Sequence, residues 1–558
     1  MNILEIKNLS LSFKSNQGVI SVLENVNLSI EKGKTIGIVG ESGSGKSITA
    51  MSILGLLPKN AIIDSGEILF SDGDQKINLI DLSEKELQKI RGKHISMIFQ
   101  EPMTSLNPSV KCGIQVEEAI MQHTKISRRE AHRKVIDLFD EVKLPDPERI
   151  FSSYPHEISG GQKQRVMIAM AISTNPKILI ADEPSTALDV TVQKAIIELL
   201  KDIQSKFGIS ILFISHDLAV VSQIAHNVLV MYKGKVIESG TKNEILFNPS
   251  EAYTKGLMSC RPDTTKKQER LSTLSDYMNK TEKKSVVRKV RENNEVLLEI
   301  KSLSKKYITE RNIWGVEKKA NKAVDNINLK VFKGETLGLV GESGCGKTTL
   351  GRIIAKLIEL SSGKVFYNGH SLGDLSKKEL RKFRRKVQII FQDPYSSLNP
   401  SKTIGNLLTE PLVVHNIGKN ASERKQLVFD IFDKVKLNES SYYKYPHEFS
   451  GGQRQRIAIA RALILKPDFI ICDESVSALD ISIQAEILNL LNDLKDEFNL
   501  TYIFISHDLS VVRYMSDRIM VMQNGKLIEI NQAEIIYNSP SSDYTQRLID
   551  SIPRITNN

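Results

Sequence analysis

Gly40-Glu41-Ser42-Gly43-Ser44-Gly45-Lys46-Ser47 is the stretch that decides the fold, and it has a second copy, Gly341-Glu342-Ser343-Gly344-Cys345-Gly346-Lys347-Thr348. Both copies fit the pattern G-x-x-x-x-G-K-[ST] of a phosphate-binding loop. Each follows a short apolar run, Ile36–Val39 or Leu337–Val340, that is typical of a buried strand. The pattern therefore predicts two α/β units, each with a strand, a phosphate loop and a helix in that order.

A glycine-rich backbone of this kind can point successive N–H groups at phosphate oxygens, and the helix that follows adds the positive end of its dipole. We expect Lys46 and Lys347 to reach the β- and γ-phosphates of a nucleotide, and Ser47 and Thr348 to ligate Mg²⁺. A glycine-rich turn that contains a lysine by chance is the alternative for one copy, and two copies in equivalent settings argue against it. The residues expected to bind nucleotide are Gly40, Glu41, Ser42, Gly43, Ser44, Gly45, Lys46, Ser47 and Ile48, and Gly341, Glu342, Ser343, Gly344, Cys345, Gly346, Lys347, Thr348 and Thr349.

The composition of the 558 residues is ordinary for a globular protein of more than one domain, with 41% hydrophobic and 25% charged residues. The formal net charge of +10 fits a well-solvated surface, with nucleic acid or an anionic membrane surface as alternatives. The four cysteines have no C-x-x-C spacing, which argues against a disulfide framework or a metal site and favours a reducing compartment. Neither a signal peptide nor an apolar run near the ~20 residues of a membrane-spanning helix is evident, so we expect another chain to supply any membrane span.

The chain is a tandem repeat. Leu4-Glu5-Ile6-Lys7 returns as Leu298-Glu299-Ile300-Lys301, and the later motifs recur in the same order. We predict a first α/β unit over residues 1–260, a basic polar linker over 261–295 and a second unit over 296–558. The linker has few apolar residues, so we expect an external tether that is at most partly helical. A basic nucleic-acid-binding arm over Lys280–Arg291 is the alternative.

Two side chains on the strands around each phosphate loop are candidates for nucleotide contacts. Phe13 and Tyr307 lie at matching positions before the loops, where a ring can stack on adenine or pack on the core. Gln100 and Gln392 each end a later strand, at the ligand edge of a parallel sheet. We expect these carboxamides to contact Mg²⁺ or the attacking water, and the proline-containing sequences after them to form exposed loops.

A second anion-binding element follows in each copy. Ser159-Gly160-Gly161-Gln162 and Ser450-Gly451-Gly452-Gln453 precede apolar runs that are typical of helices, and each offers bare N–H groups and a hydroxyl at a helix start. The preceding segment, about Lys111–Pro155, has helical spacing of its apolar residues and predicts a helical insertion. His156 and His447 lie just ahead of the two elements, and packing or hydrogen bonding is favoured for them over catalysis.

Carboxylates and a histidine end the remaining strands of each copy. Because neighbouring side chains on a strand point to opposite sides, Asp182 can hold Mg²⁺ while Glu183 faces the γ-phosphate as a base for water, with a helix cap as the alternative role for such a pair. Asp473 and Glu474 repeat the pair. The imidazole that ends the next strand can hydrogen-bond the γ-phosphate. The predicted catalytic residues are Glu183, Glu474, His216, His507, Gln100 and Gln392, and the predicted Mg²⁺ ligands are Ser47, Gln100, Asp182, Thr348, Gln392 and Asp473.

The order of these elements resembles that of ATP-binding-cassette (ABC) ATPases, and the resemblance covers essentially the whole chain. The Ser-Gly-Gly-Gln sequences match the signature motif of that family. Membership implies two cassettes that face each other head to tail within the chain, each with a RecA-like α/β core, an antiparallel β subdomain and a helical insertion. It also implies two ATP sites, each shared between the phosphate loop of one cassette and the signature of the other. One site would contain Lys46, Ser47, Gln100, Asp182, Glu183, His216, Ser450 and Gly452, and the other Lys347, Thr348, Gln392, Asp473, Glu474, His507, Ser159 and Gly161.

A narrower resemblance points to the peptide and nickel import group. The matching sequences are Tyr-Pro-His-Glu before each signature, Ser-Leu-Asn-Pro after each glutamine, and Ala252–Lys255 and Asp543–Gln546 near the cassette ends. A fused pair of cassettes resembles the glutathione-type and microcin-type importers. The group implies two integral-membrane permease subunits, an extracytoplasmic solute-binding protein, a peripheral position on the cytoplasmic face of the inner membrane and no nucleic acid. Ser475 stands where proline is usual, as in Pro184, and we expect a looser turn with the acids intact.

Two classes of function remain. The favoured one is an ATP-hydrolysing motor, active at both sites, of an importer for di- or oligopeptides, glutathione or nickel. The alternative is a soluble twin-cassette translation factor that acts on the ribosome, which also lacks membrane spans. That family carries a longer, strongly helical, arginine-rich linker, whereas Arg261–Glu295 is short and mixed.

Overall fold

The computed structural model describes residues 1–15, 18–73, 75–100, 105–185, 188–263, 268–279, 295–311 and 317–555. Within these residues one order of elements occurs twice, before and after the linker, as the tandem repeat predicts. The arm over Lys280–Arg291 and residues 101–104, directly after Gln100, lie outside the described residues. None of the helices in the described part of the chain is long and apolar enough to cross a membrane.

A six-stranded sheet forms the centre of the first copy. Five of its strands run parallel and an edge strand is antiparallel. The strands Ile178–Asp182 and Ser210–Ser215 are buried along their whole length, which explains their continuous apolar runs. In spatial order the strands are Lys235–Thr241, Asn227–Tyr232, Thr35–Val39, Ser210–Ser215, Ile178–Asp182 and Ile95–Ile98.

A four-stranded antiparallel sheet lies beside the central sheet and shares an apolar core with it. Leu4 and Ile6 from the antiparallel sheet belong to the same buried cluster as Ile38 and Ile180 from the central one. This contact fixes the position of the phosphate loop, which follows Thr35–Val39. In spatial order the strands are Gly18–Glu31, Asn2–Ser15, Ala61–Asp72 and Gln75–Asn78.

The helical insertion predicted in the first copy is confirmed. Ala131, Val135, Leu138 and Phe139 line the buried side of one of its helices. In the described part of the first copy the α-helices are Lys46–Ile53, Glu84–Ile90, Cys112–His123, Arg128–Glu141, Pro147–Ser152, Gly160–Ile172, Val190–Phe207, Leu218–Ile224, Lys242–Phe247 and Ala252–Ser259, with 3₁₀ turns at Leu79–Asp81 and Pro155–Glu157.

The second copy repeats both sheets and the helical insertion. Its central sheet contains, in spatial order, Val387–Ile390, Phe469–Asp473, Thr501–Ile505, Thr336–Val340, Arg518–Gln523 and Lys526–Gln532. Its antiparallel sheet contains Glu317–Phe332, Val296–Arg311, Ser362–Tyr367 and His370–Ser371. Its α-helices are Lys347–Ile354, Lys377–Lys386, Pro394–Ser397, Ile404–Val414, Ala421–Lys434, Gly451–Leu463, Ile481–Phe498, Leu509–Met515, Ala533–Asn538 and Asp543–Asp550, with 3₁₀ turns at Glu439–Tyr443 and Pro446–Glu448. Two α/β units of the predicted class are thus present.

Part of the linker is buried between the copies, which differs from the external tether expected from its composition. Leu271, just ahead of the short helix Leu274–Met278, is 1% exposed and belongs to the core of the second copy. Asn489 accepts a hydrogen bond from Leu271 N at 3.1 Å and donates one to Leu271 O at 2.9 Å. Arg270 donates to both carboxylate oxygens of Asp493, at 2.8 and 3.1 Å. The average composition of the linker did not predict this contact, because only a few of its residues make it.

Replacing Asn489 by alanine should detach this part of the linker. The change removes both hydrogen bonds to Leu271 and the acceptor of the Tyr514 hydroxyl. Because buried polar groups lose their partners, we expect the free energy of unfolding of the second copy to fall by roughly 2 kcal/mol. Glu198→Ala is the matched control, since Glu198 holds the corresponding position on Val190–Phe207 and is exposed. Equal thermal unfolding temperatures for the two variants would contradict the docking of the linker.

Candidate functional site

The first phosphate loop is folded around the ammonium group of Lys46. Lys46 Nζ donates hydrogen bonds to the carbonyl oxygens of Gly40 and Glu41, each at 2.8 Å. Burial lowers the pKa of Lys46, and the nearby carboxylate of Glu183 opposes that effect. A Cβ on Gly40 would lie 2.2 Å from the carbonyl oxygen of Met231, so a side chain at this position has no room. The loop therefore presents a buried cation in a rigid backbone frame.

The second phosphate loop has the same geometry. Lys347 Nζ donates to the carbonyl oxygens of Gly341 at 2.7 Å and Glu342 at 3.0 Å. It also lies 3.8 Å from Cys345 Sγ, where the first loop has Ser44. A Cβ on Gly341 would meet the carbonyl oxygen of Met522 at 2.2 Å. The two loops are thus equivalent in backbone as well as in sequence.

A hydroxyl and a carboxylate meet beside each loop. Ser47 Oγ donates to Asp182 Oδ1 at 3.2 Å, and Thr348 Oγ1 donates to Asp473 Oδ1 at 3.0 Å. Burial raises the pKa of Asp182 to about 6 and raises that of Asp473 as well. Mg²⁺ takes oxygen ligands and is commonly held by one or two protein oxygens plus phosphates and waters. The residues present fit such an ion, which would favour the ionised form of both carboxylates.

Two side chains converge on Glu183. Gln100 Nε2 donates to Glu183 Oε2 at 3.1 Å, and His216 Nδ1 lies 3.4 Å from the same oxygen. Burial by itself would lower the pKa of His216, but the hydrogen bond to Glu183 and its charge raise the pKa overall. Gln100 and His216, both predicted to be catalytic, therefore each contact Glu183, the third predicted catalytic residue of the first copy.

The second copy repeats this group with small differences. Gln392 Nε2 donates to Glu474 Oε2 at 2.8 Å, and His507 Nδ1 lies 3.6 Å from that oxygen. Burial by itself would raise the pKa of Glu474, but the hydrogen bond from His507 lowers it overall. The lowered pKa favours the ionised form of Glu474, which is the form that a general base needs.

Both glutamates lie just after the strands that precede them, so alternation along a strand does not set the direction of their side chains. The strands end at Asp182 and Asp473, and the backbone then turns through φ of +46° at Glu183 and +47° at Glu474. Few residues other than glycine adopt this left-handed conformation, and such strain clusters at functional sites. The side chains of the aspartate and the glutamate are directed apart, as predicted. The turn at the glutamate produces this arrangement, whereas the predicted cause was the alternation of side chains along a strand.

Each phosphate loop touches the other copy. Ser42 N donates to Asp480 Oδ2 at 2.9 Å, and the Ser482 hydroxyl donates to the Glu41 carboxylate. Reciprocally, Ser343 N donates to Asp189 Oδ2 at 3.3 Å. No role was predicted for Asp189 and Asp480, although they recur at matching positions after Glu183 and Glu474. That repetition was the available signal.

The Ser-Gly-Gly-Gln elements begin helices that pack beside these contacts. Ser159 Oγ accepts a hydrogen bond from Gln162 N at 3.3 Å, and Gln162 Oε1 accepts one from Ser159 N at 2.9 Å, which closes a capping box. A Cβ on Gly161 would lie 2.8 Å from Val192 Cγ1, close to Asp189. Gly452 has the same relation to Ile483, close to Asp480. The equivalent capping box joins Ser450 and Gln453, and Gly160 and Gly451 are exposed.

The remaining candidates are the two histidines ahead of the Ser-Gly-Gly-Gln elements and the two aromatic residues ahead of the phosphate loops. His156 and His447 are exposed and stack on Tyr154 and Tyr445, with ring centroids 5.6 and 5.7 Å apart, which fits the predicted packing role. Phe13 is partly buried against the core, whereas Tyr307 is 40% exposed with Lys305 Nζ 5.2 Å from its ring centroid. The two aromatic positions therefore differ in their exposure.

Comparison with known proteins agrees with this architecture. The family model described as ABC transporter matches residues 23–186 and 324–477. The model described as oligopeptide/dipeptide transporter, C-terminal region, matches residues 237–285 and 528–558. The glutathione import ATP-binding proteins of Shigella boydii and Escherichia coli K12 are each 41% identical over 99% of this chain and 90% of their own length. A dimeric post-hydrolysis ATP-binding cassette bound to ADP and Pi is 30% identical, with a TM-score of 0.39, over 42% of this chain and 99% of its own.

The chain belongs to the ABC transporter family and is built from two ATP-binding cassettes. It is an ATPase subunit of an importer. Nothing in these comparisons supports the alternative of a translation factor.

Replacing Glu183 and Glu474 together by glutamine should stop hydrolysis without preventing ATP binding. Glutamine keeps the size of the side chain but cannot take a proton from water, so we expect turnover to fall by ~10²-fold or more. Steady-state ATPase assays and equilibrium ATP binding on the full chain measure the two properties. The exchange Glu198→Gln, on an exposed helix surface, serves as the control. A double variant with unchanged turnover would disprove the role of the pair.

Replacing Ser159 by arginine should damage the site that contains Lys347. The change removes the helix cap and places a long side chain beside the helix whose Asp189 meets the second phosphate loop. We expect nucleotide trapping at that site to fall by about tenfold, since the anion-binding helix start is lost. Ser450→Arg is the matched control and should affect the site with Lys46. Site-resolved trapping that shows the reverse pattern would exclude the head-to-tail pairing.

Proposed function

We propose that this chain drives the import of glutathione or short peptides by closing its cassettes on two ATP molecules and reopening after hydrolysis. The observation that carries this proposal is the reciprocal contact of Ser42 with Asp480 and of Ser343 with Asp189. Each phosphate loop meets the opposite cassette at the place where ATP is expected. Relatives with 41% identity over nearly the whole chain support the cargo class.

Each proposed site combines residues from both cassettes. Lys46 and the loop amides bind the phosphates in the first site, and the exposed start of the helix Gly451–Leu463 approaches them from the other side. The second site is formed in the same way by Lys347 and the helix Gly160–Ile172. The cassette and linker bounds at residues 1–260, 261–295 and 296–558 are part of this proposal.

Hydrolysis in each site is assigned to the glutamate after the strand. Glu183 takes the proton from the attacking water, with Gln100 and His216 holding its carboxylate in place. In the first site Ser47 and Asp182 would hold Mg²⁺, which stabilises the charge on the phosphates. Both sites have the same groups, so both are proposed to hydrolyse ATP.

The loop after Gln392 is the proposed path to a permease. It contains the short helix Pro394–Ser397, in which Tyr395 is 53% exposed. Arg461 donates from Nη1 to the carbonyl oxygen of Ser397 at 2.7 Å, which ties the loop to the helix that begins at the signature. A movement of the helix Gly451–Leu463 would therefore be passed through Arg461 to the exposed helix Pro394–Ser397. Two permease subunits, an extracytoplasmic solute-binding protein and a peripheral position on the cytoplasmic face of the inner membrane complete the proposal, with no nucleic acid partner.

Uptake measurements in a deletion strain test the cargo. Labelled glutathione, a dipeptide and nickel would be compared after complementation with the wild type or with the double variant of Glu183 and Glu474. We expect the wild type to restore uptake of glutathione or the dipeptide, and the variant to give at least about tenfold less because hydrolysis is lost. Unchanged uptake of all three in the deletion strain, together with co-purification of ribosomes, would overturn the proposal.

A further inference from the structure

A tyrosine from the C-terminal part of each cassette reaches the phosphate loop of the same cassette. Tyr253 lies on the helix Ala252–Ser259, and its hydroxyl accepts a hydrogen bond from Glu41 N at 3.1 Å. Tyr544 lies on Asp543–Asp550, and its hydroxyl accepts one from Glu342 N at 3.1 Å. The phosphate loops belong to the segments matched as ABC transporter, whereas both tyrosines belong to the segments matched as the oligopeptide/dipeptide transporter C-terminal region. A region outside the ATPase model thus contacts the ATPase loop, in both copies.

The contacted peptide group also holds the phosphate-loop lysine. The N–H of Glu41 and the carbonyl of Gly40 belong to one trans peptide unit, so they point in opposite directions. The N–H donates to Tyr253, and the carbonyl accepts from Lys46 Nζ at 2.8 Å. A rotation of this peptide that broke the contact with Tyr253 would also turn the carbonyl away from Lys46. The orientation of the peptide therefore links the tyrosine to the lysine.

The second copy contains the same linkage. Gly341 O accepts from Lys347 Nζ at 2.7 Å, and the N–H of the next residue donates to Tyr544. Gly40 and Gly341 have φ of +158° and +150°, and an added Cβ on either would clash with a backbone carbonyl. The backbone of the neighbouring strand lies too close to either glycine for a side chain to fit, so the hydrogen bonds of the peptide group are what fix its orientation.

Each tyrosine is buried, and its helix is anchored to an edge strand of the central sheet. Tyr253 is 3% exposed and packs on Tyr232, with ring centroids 4.4 Å apart. The next residue, Thr254, donates from its hydroxyl to Glu238 Oε2 at 2.5 Å. In the second copy Tyr544 is 5% exposed, and Thr545 donates to Glu529 Oε2 at 2.9 Å. The helices are thus anchored to the neighbouring edge strands Lys235–Thr241 and Lys526–Gln532.

We propose that Tyr253 and Tyr544 are positioning residues for ATP binding, which hold the Gly40–Glu41 and Gly341–Glu342 peptide groups so that Lys46 and Lys347 are correctly placed. The inference rests on the proposed phosphate-binding role of these lysines. The tyrosines act within their own cassettes, so their contacts do not depend on the pairing of the cassettes. Asp480 holds the next amide, Ser42 N, from the opposite cassette.

The double variant Tyr253→Phe, Tyr544→Phe in the full chain tests this role. Phenylalanine keeps the ring but removes the acceptor of two partly buried N–H groups, so the Kd and KM for MgATP should rise about five- to tenfold. The kcat should stay within about twofold, because Glu183 and Glu474 are untouched. Equilibrium binding and steady-state kinetics give these three values.

Two control variants distinguish the ways in which the inference can fail. Thr254→Val with Thr545→Val loosens the same helices but keeps both phenols, so it should lower the Tm and raise the KM clearly less than the tyrosine variant does. If the tyrosine variant also lowers only the Tm and the active fraction, its role is structural and the inference is wrong. Lys46→Ala with Lys347→Ala should weaken ATP binding strongly. If it does not, the proposed phosphate site fails; if it does while the tyrosine variant binds normally, the positioning role alone fails.

Discussion

The hydrogen bond from the backbone N–H of Ser42 to the carboxylate of Asp480 is the contact on which the paired arrangement depends, together with its counterpart from Ser343 to Asp189. A phosphate loop is rigid only when its backbone groups have partners. Here one of those partners comes from the other cassette, so pairing of the cassettes adds a contact that neither loop has by itself. The duplication of the chain provides this contact twice, since Asp480 and Asp189 each meet the phosphate loop of the opposite cassette.

The covalent linker makes this pairing an event within one molecule. Joining the cassettes raises their effective concentration, and burial of Leu271 in the second core fixes one end of the connection. The docking is asymmetric, because Asn489 holds Leu271 in the second cassette whereas the corresponding residue of the first cassette is the exposed Glu198. The linker is therefore docked on the second cassette through a contact that the first cassette does not repeat, so the two halves of the chain are not interchangeable.

The sequence was sufficient to predict the elements whose chemistry is local. The loop around Lys46 and the acidic end of the strand before Glu183 each have a pattern with a direct physical meaning, and both were found where expected. Contacts between distant segments were not predictable in the same way. Tyr253 meets the phosphate loop across most of a cassette, and Asp480 meets it from the other cassette, so neither partner is visible in its own local pattern.

The substitution of serine for proline at position 475 shows how strongly the fold controls the catalytic turn. Proline at position 184 restricts the backbone after Glu183, and its absence after Glu474 predicted a looser turn. The backbone angle φ is nevertheless +46° at Glu183 and +47° at Glu474. In both cassettes the carboxylate is held by a glutamine and approached by a histidine. The φ angle of the glutamate is therefore the same whether proline or serine follows it, and both carboxylates keep their glutamine contact, which supports the proposal that both sites hydrolyse ATP.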